Sequence, residues 1–216
     1  MNVIIFGPPG AGKGTQSEFI VKKFKLFKLS TGDLLREEIK KKSSLGIEIS
    51  SIVNSGSLVS DEIINSLIET VISNSKYKNR IIFDGYPRNL SQAKNLNTLL
   101  SKYNQKINIV IKLQVSLNVI KKRITGRLTC PKCSKIFNEF FNPPPNNMTC
   151  CVGELLQKRD DDNVDVAIKR YETYEKSTEP VLEFYKKMNL VKDLNGEMNI
   201  ESIQSKISDY LTVIEG

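Results

Sequence analysis

The segment GPPGAGKGT, Gly7 to Thr15, constrains this chain more than any other, because it follows directly on the apolar run NVIIF, Asn2 to Phe6. A buried-type strand, a glycine-rich turn and a helix opening near Lys13 form the local context of a phosphate-binding loop. Glycines let successive backbone N–H groups converge on one anion, the helix N-terminus adds partial positive charge, and a lysine at position 13 can reach the outer phosphates. The pattern G-x-x-x-x-G-K-[ST] is met at Gly7, Gly12 and Lys13, but Gly14 stands where a hydroxyl is expected and Thr15 comes one residue late. Glycine-rich turns before helices are common in proteins that bind no phosphate. Here the motif is dense and its strand and helix are both in place, so it reads as a phosphate site with its own logic at position 14.

The rest of the chain repeats the strand-then-helix rhythm. Short β-branched or apolar runs at 2–6, 26–29, 80–84, 108–113 and 190–194 alternate with helical patterns near 13–24, 60–74, 90–103, 116–126, 164–188 and 200–214. Apolar runs separated by helices predict an α/β fold, a P-loop NTPase-like parallel sheet with helices on both faces. Two stretches break the rhythm. Residues 30–59 hold two short helical patterns, DLLREEIKKK and LGIEISSIVNS, with no strand between them. Residues 127–162 hold every cysteine and the NPPPNN tract. The expected organisation is therefore a core of 1–29, 60–126 and 163–216, a helical insertion at 30–59 and a small β-rich insertion at 127–162.

At 216 residues there is enough chain for one sizeable core with insertions. No apolar run approaches a membrane span, and MNVIIFG runs straight into structure with no basic leader, so a cytoplasmic protein is expected with no membrane partner. There is no histidine, which removes histidine triads, bases and metal ligands. The net charge of +8 comes from 25 Lys and only 7 Arg. A lysine-rich surface is one reading and a polyanionic ligand the other. The positions that remain arginine point to the second, because a guanidinium grips phosphate in a planar two-pronged way that lysine cannot copy.

The variant G-x-P-G-[AS]-G-K-G-T followed by Gln16 resembles the nucleoside monophosphate kinases, adenylate kinases above all. The resemblance runs over essentially the whole chain. It implies that Gly14 is the rule and that Thr15 is the hydroxyl near the β-phosphate. It also implies a magnesium ion carried with ATP by phosphates and water, with Asp84 in its outer shell. Gly10, Ala11, Gly12, Lys13, Gly14 and Thr15 would cradle ATP, with Arg123, Arg127, Ile136, Phe137 and Met198 completing that side. LSTGDLLR, Leu29 to Arg36, would open the monophosphate insertion, with Thr31 and Arg36 as AMP contacts. The same Ser-Thr-Gly-Asp run would also cap a helix. GSLVSDE would bring Ser57, Leu58 and Val59 to the adenine, where by themselves they read as loop and core. FDGYPRNLSQA, Phe83 to Ala93, would place Asp84, Gly85, Tyr86, Pro87, Arg88 and Gln92 at the C-terminal edge of the sheet, where α/β ligands bind. In it Arg88 would clamp the transferred phosphate and Gln92 would hydrogen-bond adenine.

Six arginines, Arg36, Arg88, Arg123, Arg127, Arg159 and Arg170, fall at positions that the resemblance assigns to phosphate, and Arg80 reads as surface. Any one of them alone could be a solvated charge. Bringing ATP and AMP together gathers roughly five to six negative charges, so converging cations and exclusion of water are what the chemistry requires. The accepting phosphate is already an anion, so the transfer needs no general base. The implied catalytic set is Lys13, Asp84, Arg88, Arg123, Arg159 and Arg170, with Arg159 and Arg170 also on the AMP side. Closure of both insertions would expel water.

CPKC, Cys130 to Cys133, followed by the vicinal pair Cys150 and Cys151, is similar to the long-lid bacterial adenylate kinases, which implies a structural zinc. The fourth position departs from their pattern: Cys151 is adjacent to Cys150, and position 153 is Gly. Cys151 is the expected fourth ligand, although neighbouring cysteines seldom bind one ion without strain. A lid held by packing, with free thiols, is the other reading. The expected activity is Mg·ATP + AMP ⇌ 2 ADP by a monomer acting on ATP, AMP and ADP. A GTP:AMP or UMP/CMP kinase is the sister alternative. A zinc-ribbon nucleic-acid-binding protein would suit the charge and the CxxC but leaves the phosphate loop unexplained, so no nucleic-acid partner is expected.

Overall fold

The structure is a computed structural model and describes residues 1–55, 59–133, 135–145, 148–151, 154–159 and 162–215, apart from the side chains of residues 37, 45, 66 and 67. The chain starts with β1 (Val3–Phe6), α1 (Lys13–Phe24) and β2 (Phe27–Ser30). Three helices follow: α2 (Thr31–Lys40), α3 (Ser44–Asn54) and α4 (Asp61–Ile72). Next come β3 (Ile81–Asp84), α5 (Leu90–Lys102), β4 (Ile109–Gln114) and α6 (Leu117–Thr125). Four short strands, β5 (Arg127–Thr129), β6 (Ile136–Asn138), β7 (Thr149–Cys151) and β8 (Glu154–Leu155), form two antiparallel pairs. The chain closes with α7 (Val164–Thr173), α8 (Glu179–Lys186), β9 (Val191–Asn195) and α9 (Ile200–Glu215).

β2, β3, β1, β4 and β9 lie side by side in that order, every pairing parallel. β1 is apolar at every position, as are the first three residues of β3 and of β4, because both faces of the sheet are covered there, and successive side chains go to opposite cores. From β1, Ile4 and Phe6 pack with α4, α5 and α8 through Ile68, Leu96 and Val181. Val3 and Ile5 point the other way, to Ile20 of α1 and Ile207 of α9. β3 divides in the same manner, Ile81 and Phe83 to the first core and Ile82 to the second. The expected parallel sheet with helices on both faces is what the chain forms.

The single helical pattern at 164–188 resolves into α7, a π-helical turn at Tyr174–Thr178, and α8. Pro180 lies in the first turn of α8 and has no N–H to donate back to the preceding turn, so an uninterrupted α-helical ladder cannot run through it. In the 30–59 stretch, α2 is capped by the Ser30 hydroxyl, which accepts from Asp33 N at 3.2 Å. α3 lies against α2 at Gly46, where a Cβ would stand 2.6 Å from the Glu38 carbonyl oxygen.

Candidate active site

The C-terminal ends of β1, β2 and β3 open onto one cavity of about 320 Å³. Its floor is the loop after β1. Gly12 takes a left-handed conformation, φ 95°, as N-cap of α1, and no side chain caps that helix. α2, α3, α5 and α7 are by contrast capped by Ser30, Ser43, Asn89 and Asn163. No acidic residue stands in the first turn of α1. The result is an end with exposed N–H donors and uncompensated dipole, suited to an anion. The Lys13 ammonium folds onto the loop, donating to Gly7 O at 2.6 Å and Pro8 O at 3.0 Å. Burial pushes its pKa down to about 8, with Asp84 opposing the shift.

Asp84 ends β3 as a buried carboxylate that accepts from the Ser17 hydroxyl at 3.3 Å. The chain then turns at Gly85, whose φ of 79° is a left-handed value; a Cβ there would stand 3.2 Å from the Arg88 guanidinium. Arg88 Nε donates to Gly85 O at 2.7 Å, and the Thr31 hydroxyl donates to the same carbonyl at 2.9 Å. Burial first, and then the charge of Arg170, push the Arg88 pKa down to about 10. Buried cations that also disfavour one another's charge make a site suited to an anion.

Six of the seven arginines line this cavity: Arg36, Arg88, Arg123, Arg127, Arg159 and Arg170. Arg36 pairs with Asp33 at 2.5 Å. Arg123, in the last turn of α6, donates to Ala11 O at 3.2 Å and Gly196 O at 2.8 Å. Arg127 opens β5 and grips Asp162 with two bonds, Nε to Oδ2 at 2.8 Å and Nη2 to Oδ1. Arg170 of α7 reaches the Val53 carbonyl of α3 at 3.0 Å. Arg80 is exposed, as expected.

The loop residues Gly10 to Thr15, together with Ile136, Phe137 and Met198, line the cavity, as do Val59, Asp84, Gly85 and Pro87. Thr31, Tyr86 and Gln92 do not; they surround a niche of about 20 Å³ that shares Leu35, Val59, Gly85 and Arg88 with the main cavity. Ser57 and Leu58 lie outside the described residues. Sequence reasoning missed the wall residues Lys28, Phe141 and Tyr174, among others, and the partner of Arg127. Lys28 lies 3.6 Å from Asp33 and 3.9 Å from Asp84, and Phe141 stacks under the Arg123 guanidinium with 5.1 Å from the guanidinium carbon to the ring centroid. Tyr174 joins the wall from the π turn, and Asp162, which is not itself among the lining residues, neutralises Arg127. The acidic run DDDN and the aromatic run FNEFFNP carried the only signals, and neither tells which of its residues turns inward.

The four cysteine sulfurs lie within 4.8 Å of one another, Cys133 and Cys150 at 3.5 Å. A zinc tetrahedron with bonds of about 2.3 Å has sulfur–sulfur edges of about 3.8 Å. In a regular strand Cys150 and Cys151 would face opposite ways. The β7–β8 register instead shifts between Thr149 and Cys151, and such an irregularity re-aims a side chain. That is how vicinal cysteines reach one cluster here. The backbone N–H of Cys133 helps push the Cys130 thiol down to about 7, while hydrogen bonding to Cys133 pushes Cys150 up and Cys151 up to about 12, so the thiols share their protons unevenly and the case for a metal rests on the clustering. The donor set therefore fits zinc. Among the described residues, no helix is long and apolar enough to cross a membrane.

Comparison with known sequences agrees with this geometry. A family model described as adenylate kinase matches residues 5–190. The adenylate kinase of Pelagibacter ubique (strain HTCC1062) is 51% identical over 213 residues, covering 99% of this chain and 100% of that protein. The adenylate kinase of Geotalea daltonii is 40% identical over 213 residues, 98% and 99% of the two chains, and that of Archaeoglobus fulgidus 37% over 217 residues, 100% of both.

Proposed function

The chain belongs to the adenylate kinase family and is a phosphotransferase, and from that premise we propose how its own residues move the γ-phosphoryl group of Mg·ATP onto AMP to give two ADP. One observation carries the reading: the phosphate loop and six arginines face a single cavity at the C-terminal edge of the sheet. An α-phosphate oxygen of AMP attacks the γ-phosphorus. The bond from that phosphorus to the β,γ-bridging oxygen breaks, and the charge moves to ADP with no proton transfer required.

In this reading the N–H groups at the start of α1 and Lys13 hold the β- and γ-phosphates. Arg88, Arg123, Arg159 and Arg170 surround the transferred group, Arg36 holds the AMP phosphate, and Arg127 supports the ATP side. These donors are fixed before charge develops, so they stabilise the transition state without reorganising. Magnesium carried with ATP would neutralise phosphate charge, and Asp84, buried beside the loop with Ser17, is read as the carboxylate that would meet its water shell. Phe141 and Arg123 offer a flat stacked surface near Met198, Ile136 and Phe137 for the donor base. Thr31, Val59, Tyr86 and Gln92, with Ser57 and Leu58, are read as the acceptor-base side.

Residues 30–59 and 127–162 are read as insertions that close over the nucleotides. The first brings Arg36 and the second Arg127 and Arg159 to the cavity wall, and Arg170 already bonds to α3 across it. Cys130, Cys133, Cys150 and Cys151 are read as the ligands of one structural zinc, on the strength of their clustering. The protein is read as a cytoplasmic monomer acting on small nucleotides.

A coupled assay offering AMP, UMP, CMP and GMP as acceptors, with ATP or GTP as donor, tests the substrates. AMP with ATP is expected to give the highest kcat/KM by a wide margin. Comparable kcat/KM for UMP would overturn the acceptor assignment, and equal use of GTP the donor assignment.

A further inference from the structure

The Gln92 amide is bonded at both ends inside the protein. Its Nε2 donates to Asp61 Oδ1 at 2.7 Å, and its Oε1 accepts from the Arg88 backbone N–H at 2.7 Å. Asp61 stands in the first turn of α4, and its carboxylate also accepts from Asn89 Nδ2, at 3.1 Å to Oδ1 and 3.4 Å to Oδ2. Asn89 in turn caps α5, its Oδ1 accepting from Gln92 N at 2.8 Å. Gln92 is buried and lines the niche with Thr31, Val59 and Gly85.

A free glutamine amide can rotate by half a turn and exchange donor for acceptor at almost no cost. This one cannot, because an ionised carboxylate has no proton to give and a peptide N–H has no lone pair to offer. Rotating the amide would set Oε1 against the carboxylate and Nε2 against the N–H, losing both bonds and leaving buried polar groups unpaired. With one N–H and one lone pair already used, a single N–H and a single lone pair remain for a ligand in the niche, always in the same order.

That order carries chemical information. Adenine presents an acceptor at N1 beside the donor of its 6-amino group. A 6-oxopurine presents the reverse, a donor at N1 beside an acceptor oxygen. A locked amide can satisfy only one pattern, whereas a rotating amide can satisfy both.

We propose that Asp61 is a positioning residue for acceptor specificity: it locks the Gln92 amide in the orientation that accepts a 6-aminopurine monophosphate and rejects a 6-oxopurine monophosphate. The proposal rests on the reading of Gln92 as the residue that hydrogen-bonds the acceptor base. Asp61 touches no phosphate-binding arginine side chain through these bonds, so its effect belongs in acceptor binding and selectivity rather than in the transfer step.

The test measures kcat and KM for AMP and for inosine monophosphate, which differ only at the 6-position and N1, with Mg·ATP as donor. The proteins are the unmodified enzyme, Asp61→Leu, Asp61→Glu and Gln92→Leu, each with its melting temperature. The expected result for Asp61→Leu, which removes the acceptor while keeping the volume, is a fall of at least fivefold in the AMP-to-IMP ratio of kcat/KM, arising mainly in the KM for AMP. Its kcat at saturating AMP should stay within about threefold, and Asp61→Glu should recover part of the ratio. A carboxylate that only stabilises the start of α4 would lower the melting temperature and leave the ratio unchanged, which would overturn the proposal. If Gln92→Leu also leaves the ratio unchanged, the acceptor-base reading fails and the proposal fails with it. If Gln92→Leu collapses the ratio while folded Asp61→Leu preserves it, the proposal alone fails. The unmodified enzyme gives a measurement independent of any variant's folding. The Gln92 side-chain 15N should relax as a group about as rigid as ordered backbone, with an order parameter of about 0.85, and relaxation typical of a freely rotating side-chain amide would overturn the lock.

Discussion

The Lys13 ammonium donates to the Gly7 carbonyl at 2.6 Å, so the lysine that should meet phosphate is bonded to its own loop. Burial pushes its pKa from 10.5 down to about 8. Between about pH 8 and 10.5 the unfolded chain therefore holds more protons at Lys13 than the native one, and this group's contribution to stability rises with pH across that window. A bound polyphosphate reverses the balance by favouring the ammonium. ATP binding at pH 9 should therefore take up a substantial fraction of a proton, and binding at pH 7 almost none. Calorimetry in buffers of differing ionisation enthalpy measures the uptake. Lys13→Arg, which stays charged throughout, should abolish it; uptake persisting in that variant would assign the proton elsewhere.

Arg88 is held by Gly85 O through Nε, which leaves the rest of the guanidinium fork facing the cavity. Arg88→Ala should lower kcat at least a hundredfold with the fold intact, since losing one preorganised donor to developing charge costs about 3–4 kcal/mol. Arg88→Lys should recover little, because an ammonium cannot both hold the Gly85 carbonyl and present a planar pair of donors. Near-normal turnover in folded Arg88→Ala protein would remove Arg88 from the transfer step.

The parallel sheet was legible because its strands are short β-branched runs between amphipathic helices, a pattern set by burial on both faces. The phosphate loop was legible because its conformation demands particular residues. The arginines were legible by contrast with a lysine-rich background. What stayed hidden depends on chain paths that carry no period. Strands of two or three residues, such as β7 and β8, show no alternation, and the shift that turns Cys150 and Cys151 to one cluster leaves no mark in the residue string. The π turn places Tyr174 in the cavity wall and lets the Thr178 hydroxyl bond Arg88 O at 2.8 Å, yet 164–188 reads as one amphipathic helix. Partners such as Asp162 for Arg127 and Asp61 for Gln92 are 35 and 31 residues apart in the chain, joined only by the fold.

The 30–59 stretch depends on the close approach at Gly46. A Cβ there would sit 2.6 Å from Glu38 O and 3.3 Å from the Ile39 Cα, backbone atoms that cannot rotate away. Gly46→Ala should force α2 and α3 apart, at a cost of about 1–3 kcal/mol. Hydrogen exchange should speed up about five- to hundredfold in α2 and α3 and remain unchanged in β1, β3 and β4. Uniform acceleration across the sheet would mean that the helix pair does not open independently of the core.

The small hairpin region has little apolar core of its own: Leu128, Cys130, Phe137 and Leu156 are its buried cluster, with Cys150 and Cys151 packed alongside. So few side chains do not offset the entropy of ordering the 127–162 stretch, and small modules of this kind generally need a staple. Four thiols within 4.8 Å of one another supply the donors for one. Purified protein should therefore carry about one zinc per chain, with tetrahedral sulfur coordination by X-ray absorption. Cys151→Ser should weaken retention of the metal, because three thiolates leave the fourth position to water. Chelation should make residues 127–162 exchange and melt before the sheet does, since the ion holds those residues alone. Turnover at low temperature should largely survive, because no transfer step uses the cysteines. Metal-free protein whose four thiols all react rapidly in the native state would show instead that packing alone holds this region.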